Sequence, residues 1–311
     1  MKKIVIILLI LASGFNLKAQ HHEIGLFLGT SYYLGDLNKS TQFAMPGYNF
    51  GLLYRYSVNT RIALRIAAHY GKISGNSELN PKNLRYHNLD FHSTIVDIEG
   101  GLEINFLEYE AGSKNHRFTP FIFGGISVFH FNPKTDYMGQ EYALQPMGTE
   151  GQGLTAYPDM KPYSLTAIAI PFGLGIKWSI SRRVSLGLEW GMRKTFTDYL
   201  DDVSYRYPDA ALLSAEKSPI AAVLSNRQFE DAALAAGLDI SMGSNGQPMN
   251  DVDYKLYLEQ LKASSGAQRG TEGSDWYSIA GLTIVFKIVG PRAGSCPAYK
   301  KHHQFKEYLL F

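Results

Sequence analysis

Segments of about ten residues alternate strictly between apolar and small or polar side chains, a period of two that marks β-strands with two different faces. Ile24, Leu26, Leu28, Thr30 and Tyr32 alternate with Glu23, Gly25, Phe27, Gly29 and Ser31. Tyr48 to Tyr56 and Ile62 to Tyr70 repeat the pattern on either side of Ser57-Val58-Asn59-Thr60, which reads as a tight hairpin turn. A fourth strand sets Val96, Ile98, Leu102, Ile104 and Phe106 against Asp97, Glu99, Gly101, Glu103 and Asn105. The fifth, over about 118–131, is apolar on both faces, so its facing is open. Ile168 to Ile180 and Val184 to Met192 alternate on either side of Ser181-Arg182-Arg183, and a last strand covers about 276–288.

These eight strands are joined alternately by short and long connections. The turns near 57–60 and 181–183 and a medium connection near 107–117 fall on one side, and the connections near 35–46, 74–90, 132–163 and 197–275 on the other. Bacterial outer-membrane barrels combine short periplasmic turns, long external loops and strands of this length. The expected fold is therefore an eight-stranded antiparallel transmembrane β-barrel over 20–289, with both termini periplasmic. A soluble sandwich fits less well, because its strands are usually five or six residues long and its charged face would lie in water.

Composition and the ends of the chain agree with export to that membrane. Met1 to Ala19 has two lysines at its start, Lys2 and Lys3, an apolar run from Ile4 and small residues before Gln20, the pattern of a secretory signal peptide over 1–19. Without Lys2, Lys3 and Lys18, three of the 30 basic residues, the chain carries 27 basic against 28 acidic residues, and this argues against nucleic acid as a partner. The 30 glycines, 20 tyrosines and 17 phenylalanines favour strand over helix. A single cysteine, Cys296, excludes an internal disulfide and leaves a thiol that is either free or paired with another chain.

The face opposite the apolar one carries Arg55, Arg65, Asp97, Glu99, Glu103, Lys177, Glu189 and Arg193, balanced in sign. Eight strands leave room inside only for side chains, so this set is expected to pair across a filled lumen and not to line a pore. No nucleophile motif is present: His69, His87, His92 and Ser93 lie near strand ends, but His92 and Ser93 are neighbours that face opposite sides of a strand, and no enzymatic activity is expected. His21-His22 and His302-His303 lack further ligands at metal-binding spacing, so neither a metal nor a cofactor is expected.

The long connection over 197–275 holds 13 acidic and 6 basic residues and must carry structure of its own. Asp253 to Lys262 reads as a helix within it. It is either an acidic surface for a partner or divalent cations, or a solvated outer loop that covers the barrel mouth. The tail over 290–311 is basic instead, with Arg292, Lys300, Lys301 and Lys306 around Cys296 and Pro297.

Four motifs carry a family resemblance: Gly29-Thr30-Ser31-Tyr32-Tyr33-Leu34-Gly35-Asp36-Leu37, Asp198-Tyr199-Leu200-Asp201-Asp202-Val203, Arg269-Gly270 leading to Asp275-Trp276-Tyr277, and Cys296-Pro297. In this order they resemble the PorG-like outer-membrane barrels of the type IX secretion system of Bacteroidetes, small barrels of the OmpA/OmpX-like kind. The resemblance implies a non-enzymatic component of a protein-export and gliding machine, associated with a periplasmic ring made of a lipoprotein and its partner. Arg292, Cys296, Pro297, Lys300 and Lys301 are the residues expected to meet that ring, with outer-membrane lipid around the barrel. The alternatives are an outward-facing binding or adhesion barrel and, less favoured, a lipid-modifying barrel enzyme.

Overall fold

The structure, a computed structural model, describes residues 21–39, 41, 43–80, 88–271 and 273–288. The expected signal peptide, His87 and the whole tail with Arg292, Cys296, Pro297, Lys300, Lys301 and His302-His303 lie outside the described residues.

Eight strands close into an antiparallel barrel: β1 (His21–Leu34), β2 (Gly47–Ser57), β3 (Ile62–Asn76), β4 (Asp90–Asn105), β5 (Phe118–His130), β8 (Thr166–Ser179), β9 (Val184–Thr195) and β10 (Trp276–Ile288). Each pairs with its neighbour in chain order, and β10 returns to β1 in a register that sets Tyr33 opposite Tyr277. Between β5 and β8 a small hairpin, β6 (Pro133–Tyr137) and β7 (Gln140–Ala143), extends the sheet from β4 through His92 and Ser93.

The outward residues form an apolar belt. Leu26, Leu52, Ile66, Ile98, Ile126, Leu174, Leu188 and Leu282 are each at least half exposed on the barrel wall. In water such a surface would be intolerable, whereas closed pairing leaves no strand edge unsatisfied in lipid. Lys194, with its Nζ 5.7 Å from the ring of Trp276, marks one border of the belt, as an amphipathic side chain at a membrane interface does. The molecule is a transmembrane barrel of the outer-membrane type.

Both openings are closed. At the short-turn end the 107–117 connection folds inward: Tyr109 is buried and donates to Ser185 Oγ at 2.7 Å, and Gly112 N–H donates to Ser179 Oγ at 2.8 Å. At the other end the long connections build a cap with its own apolar core. It contains α1 (Leu144–Met147), α2 (Ala210–Glu216), α3 (Pro219–Ser225), α4 (Glu230–Ala235) and α5 (Asp251–Lys262). The helix expected from Asp253 begins two residues earlier, because the Asn250 side chain accepts from the N–H groups of Val252 and Asp253. Tyr254, Tyr257 and Leu261 form its buried face. The 197–275 segment thus covers the barrel mouth.

Strand five resolves its ambiguity by turning Phe121, Phe123 and Phe129 inward, while Ile122, Ile126 and Val128 face outward.

Candidate functional site

Alternation places Glu23, Arg55, Arg65, Asp97, Glu99, Glu103, Lys177, Glu189 and Arg193 inside the barrel, where none is more than 5% exposed. Toward the short-turn end, Arg55 donates from Nε to Glu103 at 2.9 Å and from Nη1 to Glu23 at 3.0 Å, and Lys177 pairs with the other Glu103 oxygen. In the middle, Arg65 Nη2 lies 3.0 Å from Glu99 and 3.1 Å from Glu189. Toward the cap, Arg193 reaches Glu99 at 2.9 Å and Asp97 at 3.4 Å, and Tyr277 OH donates to Asp97 at 2.7 Å.

The inward phenylalanines serve this ladder. Arg65 lies 3.9 Å above the Phe123 ring and Arg55 5.9 Å from that of Phe121, so both guanidinium groups are within cation–π reach of a ring. All eight charged residues expected to face inward therefore meet in one network. Glu23 and Tyr277 are further members. Glu23 stands on the inward face of the first alternating segment, and that face was its signal in the sequence.

A second network lies above the first, in the cap. Tyr33, next to Tyr277 across the β1–β10 pair, donates to Asp201 and lies 3.3 Å from Asp275. Asp201 also accepts from Val203 N–H, and Asp275 from Leu200 N–H, both at 3.0 Å. Arg269 is buried between Glu150, at 3.2 Å, and Asp202, at 3.5 Å, and Tyr163 OH donates to Asp202 at 2.7 Å. Asp36 accepts from Thr271 N–H at 2.9 Å and pairs with Lys39 at 3.3 Å. The first three resemblance motifs, far apart in the chain, are here one connected structure.

Burial raises the cap carboxyls. Desolvation holds Asp202 at about 6 despite the opposing Arg269 cation, and lifts Asp198 to about 6 against the hydrogen bond from Ser204. Asp201 is held well above the ordinary range by burial and by the facing Asp36.

The reactive-looking residues are dispersed. Ser93 is buried and accepts from Asn132 N–H at 2.9 Å, while His92 reaches Glu141 at 2.9 Å. His69 sits in the lumen with Nδ1 3.0 Å from Asn49 Oδ1 and its ring edge-on to Phe27. Among the described residues no group of three or more His, Cys, Asp or Glu side chains has metal-binding geometry.

The family described as "Domain of unknown function (DUF6089)" is matched over residues 2–213. No curated protein matches the sequence. Solved structures similar to it include the attachment invasion locus protein Ail of Yersinia pestis, at 8% identity, 87% of this chain, 99% of that chain and a TM-score of 0.38. Neisserial surface protein A has 8% identity, 86% and 97% coverage and a TM-score of 0.36. The N-terminal β-barrel domain of Pseudomonas aeruginosa OprF has 9% identity, 86% and 99% coverage and a TM-score of 0.32.

Proposed function

This chain belongs to the DUF6089 family, and we propose that it is a non-enzymatic outer-membrane component of a type IX protein secretion machine, anchoring a periplasmic ring assembly to the membrane. The observation that supports this reading is the convergence of the resemblance motifs. In the motifs that resemble those of PorG-like barrels, Tyr33 bonds with Asp201 and Asp275, Asp202 pairs with Arg269, and Asp36 accepts from Thr271 beside them. The motifs close β1, follow β9 and lead into β10, three adjacent strands, and at that shared rim their side chains bond across the strands.

The filled lumen fits a role exercised at the rims. With the short turns periplasmic, the tail carrying Arg292, Cys296, Pro297, Lys300 and Lys301 leaves β10 on the ring's side of the membrane. The test is affinity purification of the tagged full-length chain from outer membranes in mild detergent. A periplasmic lipoprotein and its ring partner are expected to co-purify, and to be lost when 292–311 is deleted. Recovery of neither from intact chain defeats the secretion role.

An outward-facing binding barrel is the second reading, favoured by the cap itself. Its helices bury Leu213, Val223, Tyr257 and Leu261, more structure than closure of a filled barrel requires. Under this reading, deletion of 292–311 leaves function intact and replacement of the cap abolishes it.

A further inference from the structure

The apolar belt has one interruption. On the wall where β9, β10 and β1 meet, Trp190, Met192, Ala280, Thr30 and Tyr32 point outward but are only partly exposed, and Ser278 is not exposed at all. Ser278 Oγ and Trp190 Nε1 are buried without a hydrogen-bond partner. Here the connection between β1 and β2 bends down onto the outside of the barrel. The ring of Phe43 packs edge-on to Tyr32, with centroids 5.1 Å apart, and lies 6.4 Å from Trp190.

Phe43 and Met45 adopt left-handed φ values of 66° and 48°, rare for bulky side chains and sustained only where something outside the local backbone rewards them. At the base of this strap Gly47 crosses so close to β3 that a Cβ would lie 1.6 Å from the Lys72 carbonyl oxygen. The far sides of the strap residues stay open: Phe43 is 53% and Met45 38% exposed, and Pro46 and Tyr48 are exposed beside them.

The geometry points to Phe43, Met45 and Pro46 as a lipid-inserted strap, seated among the acyl chains of the leaflet on the capped side. Two independent observations support lipid as the occupant. The first is depth: Trp190 stands midway along β9, below Lys194, so the Phe43 ring touches the wall inside the apolar belt and its open side continues that lipid-facing surface. The second is charge. The β1–β2 connection has charges at its start alone, where Asp36 and Lys39 pair at 3.3 Å, and none from Thr41 to Pro46, the part that holds Phe43 and Met45. A loop made for water has no need of that restriction; one laid into hydrocarbon does.

The test uses the full chain with Cys296→Ser, reconstituted in phosphatidylethanolamine and phosphatidylglycerol vesicles and spin-labelled at Phe43→Cys or, separately, Met45→Cys. Leu188→Cys on the wall and Glu259→Cys on the cap are the lipid and water references. Collisional relaxation by oxygen and by a water-soluble nickel chelate is read at each site. The expected result is oxygen access at 43 and 45 matching Leu188, with loss of nickel access to the Leu188 level. Nickel access equal to that at Glu259 places the strap in water and overturns the inference. Shielding from both reagents also overturns it, because the strap is then covered by protein. Gel mobility before and after boiling identifies folded samples, and two label sites keep the test decisive if one variant does not fold.

Discussion

Arg65 holds two carboxylates, Glu99 and Glu189, buried inside the barrel. Removing one side of a buried pair strands the other charge, at a cost of roughly 3–5 kcal/mol, whereas removing both sides leaves little unpaired. Arg65→Met is therefore expected to lower the urea midpoint of folding strongly. Arg65→Met with Glu189→Gln should recover part of that loss, since Glu99 keeps Arg193 at 2.9 Å. A double variant whose loss equals the sum of the losses from Arg65→Met and Glu189→Gln made separately would show that the charges are not coupled. In the cap, Asp202 has a folded pKa of about 6, above its unfolded value. Its protonated form is the one folding favours, so stability is fullest below the ordinary carboxylate range near pH 4 and is lost as pH rises through 6. After division by the intrinsic, base-catalysed exchange rate, the Asp202 and Val203 amides of the cap should be less protected at pH 8 than at pH 5, and Asp202→Asn should reduce that difference. Equal protection at the two pH values, or lower protection at pH 5, contradicts the assignment.

At the scale of elements, Asn250 starts α5 by accepting from two N–H groups. Asn250→Ala should cost about 1 kcal/mol, felt in the cap and not in the wall. Limited proteolysis should cut near 239–262 sooner, with the boiled and unboiled gel mobilities of the barrel unchanged. How much of the molecule could be read in advance follows from which physical constraint each element obeys. β8 and β9 were plain because lipid on one side and ion pairs on the other force the alternation of Trp178 with Lys177, or of Leu188 with Glu189. β5 was not, because Phe121 and Phe123 face inward as platforms for Arg55 and Arg65, so hydrophobicity ceases to distinguish its faces. The β6–β7 hairpin was hidden for a different reason. Its pairs, such as Lys134 with Ala143 and Asp136 with Glu141, show no apolar period, and it joins β4 through only two residues. The lumen ladder followed from facing alone, whereas the meeting of Tyr33 with Asp201 and Asp275 depends on contacts 168 and 242 residues apart that no local pattern reports.

Across the whole molecule, two structures could each seal the barrel: the ion-pair ladder with its phenylalanines inside, and the cap above. They are separable, because the first network is complete without the second. Every carboxylate of the ladder from Glu23 to Glu99 finds its cation within the barrel, and Asp97 finds Arg193 and Tyr277 there. Tyr109 closes the opposite end independently. The prediction is that replacing 204–270 by a short Gly-Ser linker leaves a folded barrel that is still electrically silent in planar bilayers. Large stable conductance in that variant, absent from the full chain, would make the cap a gate over an open pore and return transport to the list of functions. Silence in both assigns the seal to the lumen. The cap then has no sealing duty to explain its buried core, and its outer surface becomes the place to look for whatever the barrel presents to its surroundings.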